Sequence, residues 1–251
     1  MFGAAASNAH NPNNDMEVPN AATDGISCVE WSPTANYLVA GSWDNQIRCW
    51  EVMSNGSTTP KASISHSAPI LCASWSSDGA RVYTGSCDKT AKVWDLATNQ
   101  SMQVAAHDAP IKDIFWAPEN NFLVTASWDK TIKFWDCKSP TPGATLQLPE
   151  RAYATDVRGQ LLVCATADRK VVIVNLSNPT QPHSIVASPL KCAICRAPSL
   201  VNRASECERD GARDRRGLGG TRQIPSRHAC LCLYVMLVDS AISSSHFVKS
   251  V

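Results

Sequence analysis

Two sets of His, Ser and Asp side chains, the residue types of nucleophilic catalysis, recur along the chain at the same spacing. In each set the Ser follows the His by 20 residues and the Asp follows it by 22. The members are His66, Ser86 and Asp88 in the first set and His107, Ser127 and Asp129 in the second. In an enzyme, the His would act as a base that activates the Ser hydroxyl. A catalytic site is not expected to recur once per repeat, so we interpret both sets as structural and predict a protein that is not an enzyme and needs no cofactor or metal.

The two sets belong to longer repeat units. Trp31, Trp75 and Trp116 are spaced by 44 and 41 residues, and the same two intervals separate three Asp and three further Trp residues. Those residues are Asp44, Asp88 and Asp129, and Trp50, Trp94 and Trp135. A weaker fourth unit covers residues 165–174. Periods of about 40 to 45 residues with a terminal Trp-Asp are typical of the four-stranded blades of WD40 β-propellers.

Short segments rich in β-branched and aromatic residues recur within the units, at residues 37–42, 70–75, 122–127 and 161–166. Turn-forming Pro, Asp, Asn and Gly residues separate them, as in strands joined by tight hairpins. We therefore predict an all-β fold with about four blades over residues 26–191. A disordered segment over 1–25 is expected to precede the blades, and an unrelated, disordered tail over 192–251 is expected to follow them.

In blades of this type, one buried hydrogen-bonded chain can join a His before the first strand, a Ser or Thr of the second, the turn Asp and the Trp of the third. The second and third units supply all four members, namely His66, Ser86, Asp88 and Trp94, and His107, Ser127, Asp129 and Trp135. The first unit supplies Ser42, Asp44 and Trp50 but has Ala22 at the His offset. The fourth has Val174 in place of the Trp, so two of the four networks are expected to be incomplete.

Several phrases of the repeats closely resemble the nuclear mRNA export factors of the Rae/Gle type. They are residues 42–51, 107–112, 127–136, 148–153 and 188–191. The resemblance covers about residues 14–191 and implies a non-enzymatic propeller of seven blades. It also implies docking on the GLEBS hairpin of a nucleoporin, association with RNA or ribonucleoprotein, and support of mRNA export at the nuclear pore, with the protein in the nucleus, at the nuclear envelope and in the cytoplasm. A sibling family, the mitotic-checkpoint propellers that bind Bub kinases, is the alternative.

The chain departs from that family after residue 191. Net charge changes from −3 over residues 1–191 to +4 over 192–251, and no further Trp-Asp unit occurs. Five Cys of this tail offer a weak zinc pattern whose spacing matches no common module, so free thiols are expected. The tail looks like intron or shifted-frame translation. A non-functional, C-terminally truncated product is therefore a third interpretation.

Composition is that of an ordinary globular protein, with 44% hydrophobic and 18% charged residues and a formal net charge of +1. The whole chain therefore lacks a general attraction for nucleic acid or an anionic membrane. The longest apolar run, residues 229–238, is too short for a membrane-spanning helix. The first 25 residues match neither a secretory nor a transit signal, so we expect the 11 Cys to be kept reduced in the nucleus or cytosol.

Partner-binding candidates lie next to the turn Asp residues, where propeller loops gather near a channel mouth. Trp43 and Trp128 hold equivalent positions there, and Asp108 is a lesser candidate for the same face. Exposed Trp pairs are enriched among binding hot spots, whereas buried indoles would simply pack between blades. Both interpretations remain open from the sequence.

Closure of the ring is the last expectation from the sequence. In WD40 propellers an N-terminal strand completes the last blade, and residues 16–18 are the candidate for it. Without a fifth blade, one face of Val171–Val174 is expected to meet water. We therefore expect self-association through the exposed blade edge.

Overall fold

The computed structural model describes residues 16–188, and every regular element in that range is a β-strand. Sixteen strands form four antiparallel sheets of four strands, each in sequential order. The prediction of an all-β fold with four blades is confirmed. Residues 16–188 contain no helix of the length and apolarity needed to span a membrane. Expectations for the tail after residue 191 lie outside the described residues.

Each sheet is one blade, with strands that follow one another in the chain. Blade 1 contains β1 Ile26–Trp31, β2 Tyr37–Ser42, β3 Gln46–Val52 and β4 Thr58–Ser65. Blade 2 contains β5 Ile70–Trp75, β6 Arg81–Ser86, β7 Thr90–Asp95 and β8 Gln100–Ala106. Blade 3 contains β9 Ile111–Ala117, β10 Phe122–Ser127, β11 Thr131–Trp135 and β12 Ala144–Gln147. Blade 4 contains β13 Ala152–Arg158, β14 Leu161–Thr166, β15 Lys170–Asn175 and β16 Ser184–Ala187.

The turn between the second and third strands has the same geometry in all four blades. Its last residue has a positive φ of 64° to 71°, at Asn45, Lys89, Lys130 and Arg169. In the first three blades the turn Asp accepts a hydrogen bond from the backbone N–H two residues later, which holds the chain in the turn. The repeated Asp therefore positions the two strands on either side of it.

Consecutive blades pack through their first strands, so that β1, β5, β9 and β13 lie side by side. Small residues in the second strands allow this approach. A Cβ placed on Gly41 would lie 2.8 Å from a methyl of Ile70, and one placed on Gly85 would lie 2.8 Å from a methyl of Ile111. Three clusters of buried apolar side chains then fill the blades and the spaces between them.

The predicted closing strand at residues 16–18 does not form. The segment instead lies along blade 1, where the Pro19 carbonyl accepts a hydrogen bond of 2.8 Å from Nε1 of Trp50. A strand needs a partner edge, and every sheet in residues 16–188 is completed by strands between Ile26 and Ala187. The described part of the chain therefore offers residues 16–18 no blade to join.

The expectation that one face of Val171–Val174 meets water is also wrong. All four side chains are at most 4% exposed. Val172 and Val174 pack into the apolar cluster shared with blade 3, and Val171 and Ile173 on the opposite face are buried as well. On the first strand of blade 1, by contrast, the apolar side chains of Ile26, Val29 and Trp31 are 47% to 56% exposed.

Candidate functional site

A four-membered hydrogen-bonded chain runs through blade 3. Nδ1 of His107 lies 2.7 Å from Oδ2 of Asp129, and Nε2 lies 2.7 Å from Oγ1 of Thr125. The same Thr oxygen accepts a hydrogen bond of 2.8 Å from Nε1 of Trp135. Because an ionised carboxylate can only accept, Nδ1 carries the hydrogen, and in a neutral ring Nε2 accepts from the Thr hydroxyl. The chain joins the segment before β9 to β10, the turn and β11.

The charge of Asp129 is stabilised by this arrangement. Burial acts to raise its pKa, but hydrogen bonds from His107 and Thr131 hold the pKa well below its usual range. The His107 side chain has no exposed surface, and the Asp129 side chain is 8% exposed. The imidazole and the carboxylate are therefore buried as a hydrogen-bonded pair, which is how interiors tolerate such groups.

Blade 2 contains a shorter version of the same network. His66 contacts Oδ2 of Asp88 at 2.9 Å and Oγ1 of Thr84 at 2.8 Å, but Nε1 of Trp94 donates to Asn99 at 3.0 Å. Burial lowers the pKa of His66, although Asp88 opposes the shift. Burial acts to raise the pKa of Asp88, yet hydrogen bonds from Thr90 and His66 lower it to about 2. Trp94 thus lies outside the network in which the sequence placed it.

In both networks the hydroxyl group that contacts the His ring belongs to a Thr, and the predicted Ser residues make other hydrogen bonds. Ser86 and Ser127 each accept a hydrogen bond from the N–H of the turn Asp and donate to the carbonyl of Pro69 or Pro110. Neither Ser contacts a His ring within residues 16–188. Thr84 and Thr125 lie two residues before Ser86 and Ser127, so they are on the same face of the strand but farther from the turn. Both units have a Thr two residues before the predicted Ser, and this shared Thr is the feature of the sequence that could have identified the hydroxyl member.

Blade 1 replaces the His with an Arg from within the blade. Nη2 of Arg48 pairs with Oδ2 of Asp44 at 2.8 Å, and the N–H of Thr23 donates to the same oxygen at 3.0 Å. Burial opposes the shift, but the hydrogen bond from Arg48 places the pKa of Asp44 well below its usual range. Ser42 accepts from the N–H of Asp44, as Ser86 does for its turn Asp in blade 2, and Trp50 donates to the chain before β1.

Blade 4 has no imidazole in this position. Leu148 occupies this position instead. Its backbone N–H makes the same backbone hydrogen bond that the backbone N–H of the His makes in blades 2 and 3, and the Leu148 side chain is buried. Asp168 is held by the hydroxyl of Thr166 and by Nζ of Lys170 at 2.7 Å. The turn Asp therefore recurs in four blades with three different sets of partners.

The three candidate partner-binding residues differ in exposure. Trp43 is 50% exposed and Asp108 is exposed, whereas Trp128 is half-buried. Nε1 of Trp128 is fully buried and has no hydrogen-bond partner within the described range. The two indoles lie on blades 1 and 3, with blade 2 between them, so they do not form a contiguous aromatic pair. Trp43 is therefore the more exposed of the two indoles.

Comparison with known proteins agrees with the repeats found in the sequence and with the blades of the structure. The WD domain, G-beta repeat family matches residues 16–51, 58–95 and 99–136. The chain belongs to the WD40-repeat family. The third of these matches ends at the Trp-Asp of blade 3, and the structure adds a fourth WD40 blade that the family comparison does not match.

The WD40 blades of this chain are similar to proteins named mRNA export factor. The relative from Xenopus tropicalis is 51% identical over 196 residues, and those from Danio rerio and Pongo abelii are 47% and 49% identical over the same length. The matched region covers 76% of this chain and 53% of each relative, so the chain spans about half the length of these relatives. The resemblance to the Rae/Gle-type export factors is confirmed.

Metal binding and hydroxyl activation find no support in the described WD40 blades. Residues 16–188 contain no group of three or more His, Cys, Asp or Glu side chains placed to hold a metal ion. The rings of His66 and His107 are each buried and occupied by a Thr and an Asp, so neither of these two rings is open to a substrate. What the arrangement does chemically is to tie the strands of a blade together.

Proposed function

We propose that this WD40 protein is an adaptor that docks on a GLEBS-type motif of a nucleoporin and supports mRNA export through the nuclear pore. The observation that carries the proposal is the identity of about one half with mRNA export factors over 196 residues. Under this proposal the protein acts in the nucleus, at the nuclear envelope by the pore, and in the cytoplasm. The work is done by binding, and no reaction is assigned to the chain.

Trp43 is proposed as the main contact for the nucleoporin, with Asp108 beside the docking face. An indole that is half exposed offers a large apolar area at low entropic cost, which is why Trp is enriched in hot spots. Residues 16–188 contain 13 Lys and Arg against 16 Asp and Glu. Because a net charge of this sign repels a phosphate backbone, we propose that RNA association is indirect, through ribonucleoprotein.

Binding of the full chain to an immobilised GLEBS peptide tests the proposal. Trp43→Ala should weaken binding by at least about tenfold, because the exposed indole contributes to binding and little to folding. Trp128→Ala is the matched control: it should lower the melting temperature and leave the affinity of the folded fraction unchanged.

A Bub-kinase peptide provides the competing outcome in the same assay. Retention of the chain on that peptide and not on the GLEBS peptide would assign it to the mitotic-checkpoint type. Retention on neither peptide would reject the adaptor proposal and favour a non-functional product.

A further inference from the structure

Two hydroxyl residues, each followed by a Pro, stand in the loop between β11 and β12, which covers residues 136–143. They form the dipeptides Ser139-Pro140 and Thr141-Pro142. A kinase groove that offers no hydrogen-bond partner to the residue after the acceptor selects Pro there, because Pro has no N–H. Among residues 16–188, a hydroxyl residue also precedes a Pro at Ser32, Thr59 and Ser188.

The middle of this loop is not held by the sheet. Residues 140–142 make no backbone–backbone hydrogen bond within the described range, since the two prolines have no N–H and the N–H of Thr141 donates to Oγ of Ser139 at 3.3 Å. The loop is anchored on either side instead. The N–H of Ser139 donates to the carbonyl of Asp136, and the N–H of Gly143 donates to a carbonyl of β11, both at 2.8 Å. Residues 140–142 can therefore enter the cleft of an enzyme without breaking the pairing of β11 and β12.

Thr141 presents the more accessible hydroxyl of the two. Thr141 is exposed, whereas Ser139 is half-buried. The two hydroxyl oxygens lie 3.1 Å apart, and Oγ of Ser139 also accepts the N–H of Thr141. Ser139 therefore positions Thr141 in the loop, and the Thr141 side chain is the one that meets an incoming enzyme.

The other hydroxyl residues that precede a Pro are fixed by the backbone of their blades. Thr59 lies in β4, where it is paired in register with a residue of β3. The N–H of Ser32 donates to the carbonyl of Tyr37 at 2.9 Å, and that of Ser188 donates to the carbonyl of Arg169 at 2.7 Å. The fold therefore distinguishes Thr141 from residues with the same local sequence pattern.

The loop lies at the opposite end of blade 3 from the turn that contains Asp129. The strand β11 runs from that turn to the loop, and its five residues span about 17 Å. Asp108 contacts Asp129 through its N–H, and Trp43 lies in the equivalent turn of blade 1. The loop is therefore separate from the proposed nucleoporin contact.

We propose that Thr141 is a phosphorylation site for a proline-directed Ser/Thr protein kinase. The γ-phosphoryl group of ATP passes to Oγ1 of Thr141. A new P–O bond forms as the bond from the γ-phosphorus to the bridging oxygen of ADP breaks, and the hydroxyl proton goes to the base of the kinase. The product carries a charge of about −1.5 to −2 at pH 7. This charge is added at the end of blade 3 that is away from the proposed nucleoporin contact.

Incubation of the full chain with ATP and a purified mitogen-activated protein kinase tests the site, with mass spectrometry of tryptic peptides as the measurement. Phosphate should be found on Thr141, and Thr141→Ala should lower total incorporation at least about tenfold. Pro142→Ala keeps the hydroxyl but restores an N–H after it, so it should also lower the rate at least about tenfold. Ser139→Ala should retain most of the incorporation.

Thr59→Ala is the matched control. Thr59 is also an exposed Thr followed by a Pro, but it lies in a strand. Incorporation of phosphate into this variant should equal incorporation into the parent.

The proposal is overturned if the full chain gains no phosphate on Thr141, even where a free peptide of residues 137–146 does. It is also overturned if Thr141→Ala or Pro142→Ala leaves incorporation unchanged, or if Thr59→Ala lowers it as much as Thr141→Ala. Should Pro142→Ala lower the melting temperature, the comparison of Thr141→Ala with Ser139→Ala and Thr59→Ala decides the result.

Discussion

At the scale of single residues, the hydroxyl group of one Thr determines how many side chains of a blade its hydrogen bonds join. Thr125 receives the indole N–H of Trp135 and donates to His107, so it links two buried side chains. Thr84 makes the same contact with His66, but the indole of its blade bonds elsewhere. The two Thr residues are therefore a natural pair for measuring what the extra link contributes.

Thr125→Val should lower the free energy of unfolding by about 3 kcal/mol, because it leaves both Nε1 of Trp135 and Nε2 of His107 buried without a partner. Thr84→Val should cost about 1 to 2 kcal/mol, because only His66 loses a partner. Urea unfolding of the two variants and the parent measures the difference. Equal losses would mean that the indole contact contributes nothing.

At the scale of elements, the first strands of blades 3 and 4 meet at a half-buried carboxylate. Oδ2 of Asp113 on β9 accepts the N–H of Thr155 on β13 at 2.7 Å, and Lys112 lies 3.6 Å away. Burial raises the pKa of Asp113 to about 6, although Lys112 and Thr155 act to lower it. The equivalent residues of blades 1 and 2 are Cys28 and Cys72, so a charged group at this contact distinguishes blade 3.

This carboxylate gives the contact a pH dependence of known sign. The folded pKa exceeds the ordinary value of 3.8, so the folded state binds the proton more tightly than the unfolded chain. The contribution of Asp113 to stability is therefore greatest below about pH 4 and is lost as the pH rises through about 6. His66 acts in the opposite direction, because burial lowers its pKa and protonation below about pH 6.5 favours the unfolded chain.

Asp113→Asn should therefore stabilise the protein by about 1 to 2 kcal/mol at about pH 7 and by much less at about pH 4. Asn keeps the oxygen that accepts from Thr155 but never bears the charge. The difference in unfolding free energy between variant and parent, measured by urea at both pH values, removes the common contribution of His66. A difference that does not change with pH would show that Asp113 is not protonated in this range.

At the scale of the whole molecule, blade 1 exposes the face that the later blades bury. Trp31 is 56% exposed, whereas Trp75 at the same position of blade 2 is 8% exposed and donates to the Glu30 carbonyl of blade 1. Ile26 is 50% exposed, whereas Ile70 and Ile111 are fully buried against the preceding blade. Exposed apolar patches of this kind promote association.

Trp31→Thr should weaken self-association of the full chain by roughly tenfold, because it removes the largest apolar side chain of this face. The melting temperature should change little, since the indole is already more than half exposed. Sedimentation velocity over a range of concentrations measures the association. Met102→Thr, at a 62% exposed residue on β8, is the control and should leave association unchanged. A parent chain that stays monomeric at all concentrations would contradict the prediction.

The sequence alone determined the fold class and the register of the repeats. A strand and its turn depend on residues close together in the chain, so the turn Asp residues and the six-residue β-rich segments are visible as a pattern. The spacing of Asp44, Asp88 and Asp129 therefore located three turns, and the phrases around them identified the relatives. The interpretation of His66 and His107 as structural residues also agrees with the buried contacts that their rings make.

Tertiary structure alone decided which side chains meet. Ser86 and Thr84 lie two residues apart on one strand, and both fit the pattern of a Ser or Thr in the second strand of a blade. The structure shows that Thr84 is the one that contacts His66. Trp43 and Trp128 hold equivalent positions but differ in exposure, since burial depends on the neighbouring blade. The open cavity on blade 1 is lined by residues up to 43 apart in the chain, from Asn20 to Ser63. Contacts of this kind are set by how blades pack against each other, and no local spacing records them.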